Sequence, residues 1–145
     1  MKVYFAGSIC GGRQDVAIYA GIIQLLKGLG CIVLTEHVGN ANITQAGESA
    51  VNKLKASEIY EKDCRWLREA DIVIAEVTQT SLGVGYELGY AESLGKPIVC
   101  LYRPTPEKVL TAMLRGNPHF KIVEYAQVGD LEKVLSAILK SVSPV

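Results

Sequence analysis

The sequence carries no surplus of charge of either sign. Its 15 Lys and Arg residues balance 15 Asp and Glu, so no long-range field draws it to a nucleic-acid polymer or an anionic membrane. On this balance a nucleotide ligand is a free small molecule. Cysteine is sparse as well: Cys10, Cys31, Cys64 and Cys100 stand far apart with no CxxC pair, which speaks against a zinc cluster or a redox dithiol. Three of them lie on or beside apolar runs and read as small buried hydrophobes. No apolar stretch approaches the ~20 residues of a membrane helix. No signal-peptide pattern precedes the strand-like run Lys2-Val3-Tyr4-Phe5-Ala6, and repeats and low-complexity tracts are absent. The expected location is cytoplasmic, with the nucleus as the alternative. Two nucleotide signatures are missing too. The glycine run Gly7-Ser8-Ile9-Cys10-Gly11-Gly12-Arg13 is neither GxGxxG nor a Walker A loop, so an NAD or ATP reading fails on its own signature.

What is present is a globular composition, 49% hydrophobic and 21% charged, in a chain of 145 residues, the length of one domain. Short β-rich runs at residues 3–6, 31–35, 72–75, 97–101 and 121–124 are mostly apolar and show no strict polar alternation. That pattern suits strands buried on both faces of a parallel sheet. Helical stretches are expected at residues 13–28, 56–70, 85–94, 106–114 and 131–141. The last puts Leu131, Val134, Leu135, Ile138 and Leu139 on one face. Gly28 and Gly30 suit a helix end, and Pro106 suits a helix start. Alternating strands and helices with right-handed crossovers predict a single α/β domain over residues 1–145. It is expected to be doubly wound and flavodoxin- or Rossmann-like, a five-stranded parallel sheet of order 2-1-3-4-5 with helices on both faces. Residues 38–55 lack a pattern and read as a long loop with one helical turn, the kind of segment that often covers a site.

Ligands in such folds bind beyond the carboxyl ends of the strands. The richest segment there runs from Glu76 through Ser81-Leu82-Gly83-Val84-Gly85-Tyr86-Glu87. Its backbone N–H groups and the Ser81 hydroxyl can hold a phosphate at a helix N-terminus. Glu87 lies near the first helical turn, where the dipole favours the ionised carboxylate that a covalent nucleophile needs. A plain helix-stabilising acid fits the same position, and local sequence leaves both readings open. Gly7 to Gly12 could cradle an anion or form a tight turn. Asp63 lies on a helix whose Glu61 and Arg65 look like a solvated pair. His37 follows a strand end, and Tyr4 lies inside the first strand, where a core role is the simpler reading.

Taken together, several blocks carry a family resemblance: Tyr4-Phe5-Ala6-Gly7-Ser8-Ile9, Leu34-Thr35-Glu36-His37-Val38, Asp63 with Trp66-Leu67, the run from Ala75 to Gly89, and Arg103-Pro104 with Ala112-Met113-Leu114-Arg115-Gly116. On these the chain resembles the nucleoside 2-deoxyribosyltransferase superfamily, and within it the Rcl-type 2′-deoxynucleoside 5′-monophosphate N-glycosidases. The resemblance implies that Glu87 attacks C1′ of the deoxyribose, Tyr4 orients that carboxylate, and Asp63 handles the proton on the departing base. It places His37 near the base. It gives the 5′-phosphate to Ser81, Gly83 and the loop of Gly7, Ser8, Ile9, Cys10, Gly11 and Gly12. It also implies a homodimer in which Thr111 and Met113 reach the neighbouring subunit's site, and chemistry without metal or other cofactor. Two positions depart from the pattern: Cys10 replaces an arginine and Thr111 replaces a serine.

The nearest alternatives are a deoxyribosyltransferase, which passes the sugar to a second base and needs no phosphate cradle, and a ribonucleotide (CMP-type) N-glycosidase. A nucleotide-binding scaffold is the non-enzymatic alternative, although a pure binder has no need of Tyr4, Asp63 and Glu87 together. The Pro-Gly-Gly signature of cytokinin-type phosphoribohydrolases is absent.

Overall fold

The computed structural model describes residues 1–51 and 53–142. Parts of the expected 38–55 loop and 1–145 domain, residue 52 and residues 143–145, therefore lie outside the described residues. Five strands, β1 (Lys2–Ala6), β2 (Ile32–Val33), β3 (Ile72–Glu76), β4 (Ile98–Tyr102) and β5 (Phe120–Glu124), form one sheet of order β2-β1-β3-β4-β5. All pairings are parallel, so the doubly wound expectation holds. Among the described residues six α-helices accompany them: α1 (Val16–Gly28), α2 (Glu48–Val51), α3 (Ala56–Glu69), α4 (Leu82–Ser93), α5 (Ala112–Arg115) and α6 (Leu131–Ser141).

The absence of polar alternation in the strands has a direct structural counterpart. Successive side chains of a strand point to opposite faces, and here both faces are covered. Val3, Phe5, Ile72, Ile74, Val99 and Leu101 pack with α1 and α6 in one core. Tyr4, Ala6, Val73, Ala75, Ile98 and Cys100 pack with Leu67 of α3 and Val84, Leu88 and Ala91 of α4 in the other. Cys64 and Cys100 are buried and Cys31 is half-buried, while Cys10 is exposed.

Several strand ends shift by a residue, α1 starts at Val16 and not at residue 13, and three further boundaries differ for physical reasons. The second strand keeps only Ile32–Val33 of residues 31–35, as befits an edge strand with a single neighbour. The helix expected from residue 85 begins at Leu82, because Ser81 caps it: its Oγ accepts from the Val84 N–H at 3.3 Å. No helix runs from Pro106 to Leu114; only Ala112–Arg115 is helical, capped by Thr111. Pro106 instead follows Thr105 in a turn closed by an antiparallel bridge between Thr105 and Lys108. Its fixed φ suits the second position of a turn as well as the first position of a helix. A turn of 3-10 helix at Glu36–Gly39 leads into the 38–55 segment, which contains the single turn of α2.

Candidate active site

The carboxyl ends of β1 and β3, where strand order reverses, open into a cleft of roughly 370 Å³. Its walls come from four places. Gly7, Ile9, Cys10 and Gly11 follow β1; Ala46, Gly47, Glu48 and Ser49 come from the segment before and in α2; Ile59 and Asp63 come from α3; and Ser81, Gly83 and Glu87 come from the start of α4.

Local rules explain how each group arrives. Tyr4 points to the α3/α4 face of β1 because strand side chains alternate, and there its hydroxyl donates to Glu87 Oε1 at 2.8 Å. Tyr4 is only 1% exposed, so it lies beneath the cleft and supports Glu87. Gly11 is needed for close approach: a Cβ there would sit 2.6 Å from the Thr80 carbonyl oxygen and 2.9 Å from Ser8 Oγ. This contact brings the β1 loop onto the β3–α4 loop, and Gln79 Nε2 ties the two by donating to the Gly11 carbonyl at 3.0 Å. Ser8 is fully buried, its Oγ without a partner, and its N–H donates to the Tyr19 hydroxyl. Gly12 is buried at φ +135°, abutting Gln14. Both therefore shape the loop from below instead of lining the cleft.

Electrostatics single out Glu87 and Asp63. Burial pushes the Glu87 carboxyl up to about 8, with the charges of Asp63 and Glu48 adding to the rise and the Tyr4 hydrogen bond opposing it. This corrects the expectation that the helix dipole governs the group. Glu87 is the sixth residue of α4 and stands past the first turn, where the dipole has faded and desolvation dominates. Asp63 is pushed up to about 6, mainly by burial, with Glu48 raising it and Lys62 lowering it. One of its oxygens, Oδ1, is buried without a partner. The cleft thus holds two carboxyls whose titration is displaced upward toward neutral pH, a property concentrated at catalytic sites.

His37 stands behind this surface. Its Nε2 meets Glu48 Oε1 at 2.8 Å, and Glu48 Oε2 meets Lys62 Nζ at 2.5 Å. Burial lowers the His37 pKa below its ordinary value. His37, Glu48 and Asp63 bring ligand-type atoms within 4.8 Å of one another, but both Glu48 oxygens are already engaged by His37 and Lys62. Glu48 and Lys62 escape notice in the sequence: an acid in a patternless segment carries no sign that it is buried.

Thr111 and Met113 do not reach this cleft within the one chain. They line a neighbouring hollow of roughly 380 Å³ that shares Ser81 and Val84 with it. Both are exposed, Met113 at 79%. Arg103, from the matching block after β4, also serves the scaffold. It pairs with Asp15 at 2.5 Å and with the fully buried Glu76 at 3.2 Å. Glu76 in turn accepts from the Thr78 N–H and hydroxyl and from the Tyr125 hydroxyl.

A family model described as nucleoside 2-deoxyribosyltransferase matches residues 3–122. Among curated proteins, the 5-hydroxymethyl-dUMP N-hydrolase of Rattus norvegicus is 49% identical over 146 residues, covering 99% of this chain and 87% of the relative. The protein of the same name from Esox lucius is 46% identical and covers 99% of both chains. Among solved structures, a Clostridium botulinum CMP N-glycosidase superposes with a TM-score of 0.62 over 93% of this chain and 98% of that one. At 19% identity it supports the fold alone.

Proposed function

This chain belongs to the nucleoside 2-deoxyribosyltransferase family, and we propose that it hydrolyses the N-glycosidic bond of 2′-deoxynucleoside 5′-monophosphates, releasing the base and 2-deoxyribose 5-phosphate. The observation that carries the reading is the pairing of Glu87, hydrogen-bonded by Tyr4, with Asp63 across a cleft floored by the β1 loop and the N-terminus of α4.

In the first step the ionised Glu87 carboxylate attacks C1′, the bond from C1′ to the base nitrogen breaks, and the base leaves with a proton from Asp63. In the second step water attacks C1′, gives its proton back to Asp63, and frees Glu87 and the sugar phosphate. The transition states are oxocarbenium-like. A carboxylate that is costly to ionise in an empty, desolvated cleft gains most when a cation develops beside it. A sugar without a 2′-hydroxyl forms that cation more readily. The acid role falls to Asp63, whose carboxyl is raised to about 6 and so holds its proton to higher pH than an ordinary aspartate.

The phosphate is assigned to Ser81, the backbone at Gly83 and the loop of Gly7, Ile9, Cys10 and Gly11, where N–H groups and the positive end of α4 favour an anion. The second member of the assembly is another copy of this chain. Exposed Leu82 (94%), Val109 (94%), Tyr86 and Met113 supply an apolar surface beside the hollow that Thr111 lines.

The test is a substrate panel headed by 5-hydroxymethyl-dUMP, the compound in the names of relatives 49% and 46% identical to this chain. Free 5-hydroxymethyluracil and 2-deoxyribose 5-phosphate are the expected products, with ribonucleotides and unphosphorylated nucleosides slower. Reaction of unphosphorylated nucleosides alone would remove the phosphate assignment, and transfer of the sugar to an added base would make the protein a transferase. A deoxyribosyl adduct on Glu87, captured by acid quench and peptide mass, tests the covalent step.

A further inference from the structure

Glu48 is 4% exposed, and burying a carboxylate is expensive unless cationic donors meet it. Here they do: His37 Nε2 meets one oxygen at 2.8 Å and Lys62 Nζ meets the other at 2.5 Å. Both partners are themselves mostly buried, with side chains 16% and 20% exposed. The two partners also flank one aromatic ring. Lys62 Nζ lies 5.0 Å from the centre of the Trp66 ring, and the His37 ring lies 6.0 Å from it.

The segment that bears Glu48 has few other anchors. Arg13 holds its first half by donating to the Asn40 and Ile43 carbonyls at 2.9 and 2.8 Å, and Ile43 is buried. Beyond Ile43, the next buried side chain along the segment is that of Glu48 itself. Yet Ala46, Gly47, Glu48 and Ser49 form the wall that faces Asp63 and Glu87. Gly47 faces the opposite loop, where a Cβ would lie 3.3 Å from Cys10 Sγ. An apolar side chain could pin such a segment at lower cost. A charged anchor adds something an apolar one cannot, namely a fixed negative charge within 4.8 Å of the Asp63 carboxylate.

We propose that Glu48 is a positioning residue for base release: it latches the 46–49 wall through Lys62 onto α3 and through His37 onto the Glu36–Gly39 turn, fixing the width of the cleft and the charge beside Asp63. This rests on the reading of the cleft as a deoxynucleotide N-glycosidase site. The negative charge of Glu48 helps keep the Asp63 proton in place, consistent with the upward displacement of that carboxyl. The latch closes one side of the site, whereas the phosphate assignment lies on the other.

Two measurements on the full-length protein test this, one of which needs no turnover. Hydrogen exchange on ligand-free wild type and Glu48→Gln reads the latch through the amides of Ala46, Gly47 and Ala50, which donate to Thr44 Oγ1, the Thr44 carbonyl and the Gly47 carbonyl. They are expected to exchange at least tenfold faster in the variant, with the β-strand amides unchanged. Steady-state hydrolysis of 5-hydroxymethyl-dUMP is expected to show kcat reduced at least tenfold and KM within about threefold. Lys62→Met, which removes one arm of the latch and leaves Glu48 in place, is expected to move both readouts in the same direction by less. It decides the matter if Glu48→Gln does not fold. Unchanged exchange, or a loss confined to KM, overturns the proposal. A wild type that hydrolyses no nucleotide overturns the parent reading instead, and the exchange result then stands by itself as a statement about the latch.

Discussion

Glu87→Gln is expected to abolish base release while making the protein more stable above neutral pH. The carboxyl is displaced from its ordinary 4.5 to about 8. A group raised on folding stabilises the fold below its unfolded pKa, and that stabilisation is lost as pH rises through the folded value. For Glu87 the window therefore runs from about 4.5 to about 8. At ~1.4 kcal/mol per pH unit the full displacement corresponds to roughly 5 kcal/mol. Glu87 faces the cleft and is half-buried, and solvent screening reduces this to about 2 kcal/mol. Glutamine cannot ionise, and its amide oxygen still accepts from the Tyr4 hydroxyl. The two proteins should therefore match in stability near pH 5 and diverge by about 2 kcal/mol at pH 9, with the variant ahead by roughly 4–8 °C in Tm. Urea and thermal melts of both proteins at several pH values measure the difference, in which the titrations of Asp63 and His37 largely cancel. A difference independent of pH, or a variant less stable at pH 9, would refute the assignment of desolvation as the dominant influence on Glu87.

Three further outcomes follow from the geometry. Tyr4→Phe removes the 2.8 Å hydrogen bond that favours ionised Glu87. The alkaline rise of kcat/KM should therefore move to higher pH, with kcat down ~10–100-fold, as read from a pH–rate profile. Ser81→Ala deletes the acceptor for the Val84 N–H; a urea melt should show a loss of ~1 kcal/mol, and KM for the phosphorylated substrate should rise with kcat nearly unchanged. Glu76→Ala leaves the partly buried Arg103 with only Asp15 for an ion-pair partner, and chemical denaturation should reveal a loss of ~3–5 kcal/mol.

Sequence patterns reached the strands and most helices because these depend on periodicity, and periodicity is a local property; the sheet order came instead from the fold-level rule for alternating strand and helix units. Leu131–Ser141 is helical over the expected residues, and the two-faced burial of β1, β3 and β4 follows from their unbroken apolar runs. Pro106 misled because one fixed dihedral serves two structures, and only the bridge between Thr105 and Lys108 chooses the turn. Tyr4 read as a core residue, and it is one: its ring is buried while its hydroxyl alone reaches Glu87. That double use appears in no local pattern and entered through the family resemblance. Glu48 was out of reach for a related reason. Its partners lie 11 residues earlier, at His37, and 14 residues later, at Lys62, so its burial is a property of how α2 meets α3.

The same distinction explains the charge state of the site. From α4 alone, Glu87 would be an acid favoured in its ionised form by a helix N-terminus. In the folded protein three separate elements act on it: β1 supplies the Tyr4 hydroxyl, α3 supplies the charge of Asp63, and α2 supplies that of Glu48. Two of the three raise the carboxyl and one lowers it, and burial outweighs them all. A cleft built this way resists holding several negative charges while it is empty. In the proposed mechanism a sugar that becomes cationic would supply the missing positive charge, so the attraction to Glu87 would be strongest in the state where the glycosidic bond is breaking. On that mechanism the arrangement that makes Glu87 a costly residue for the fold is the one that would let it discriminate transition state from substrate, and a stabilising Glu87→Gln that is catalytically dead would show both sides of that relation in one protein.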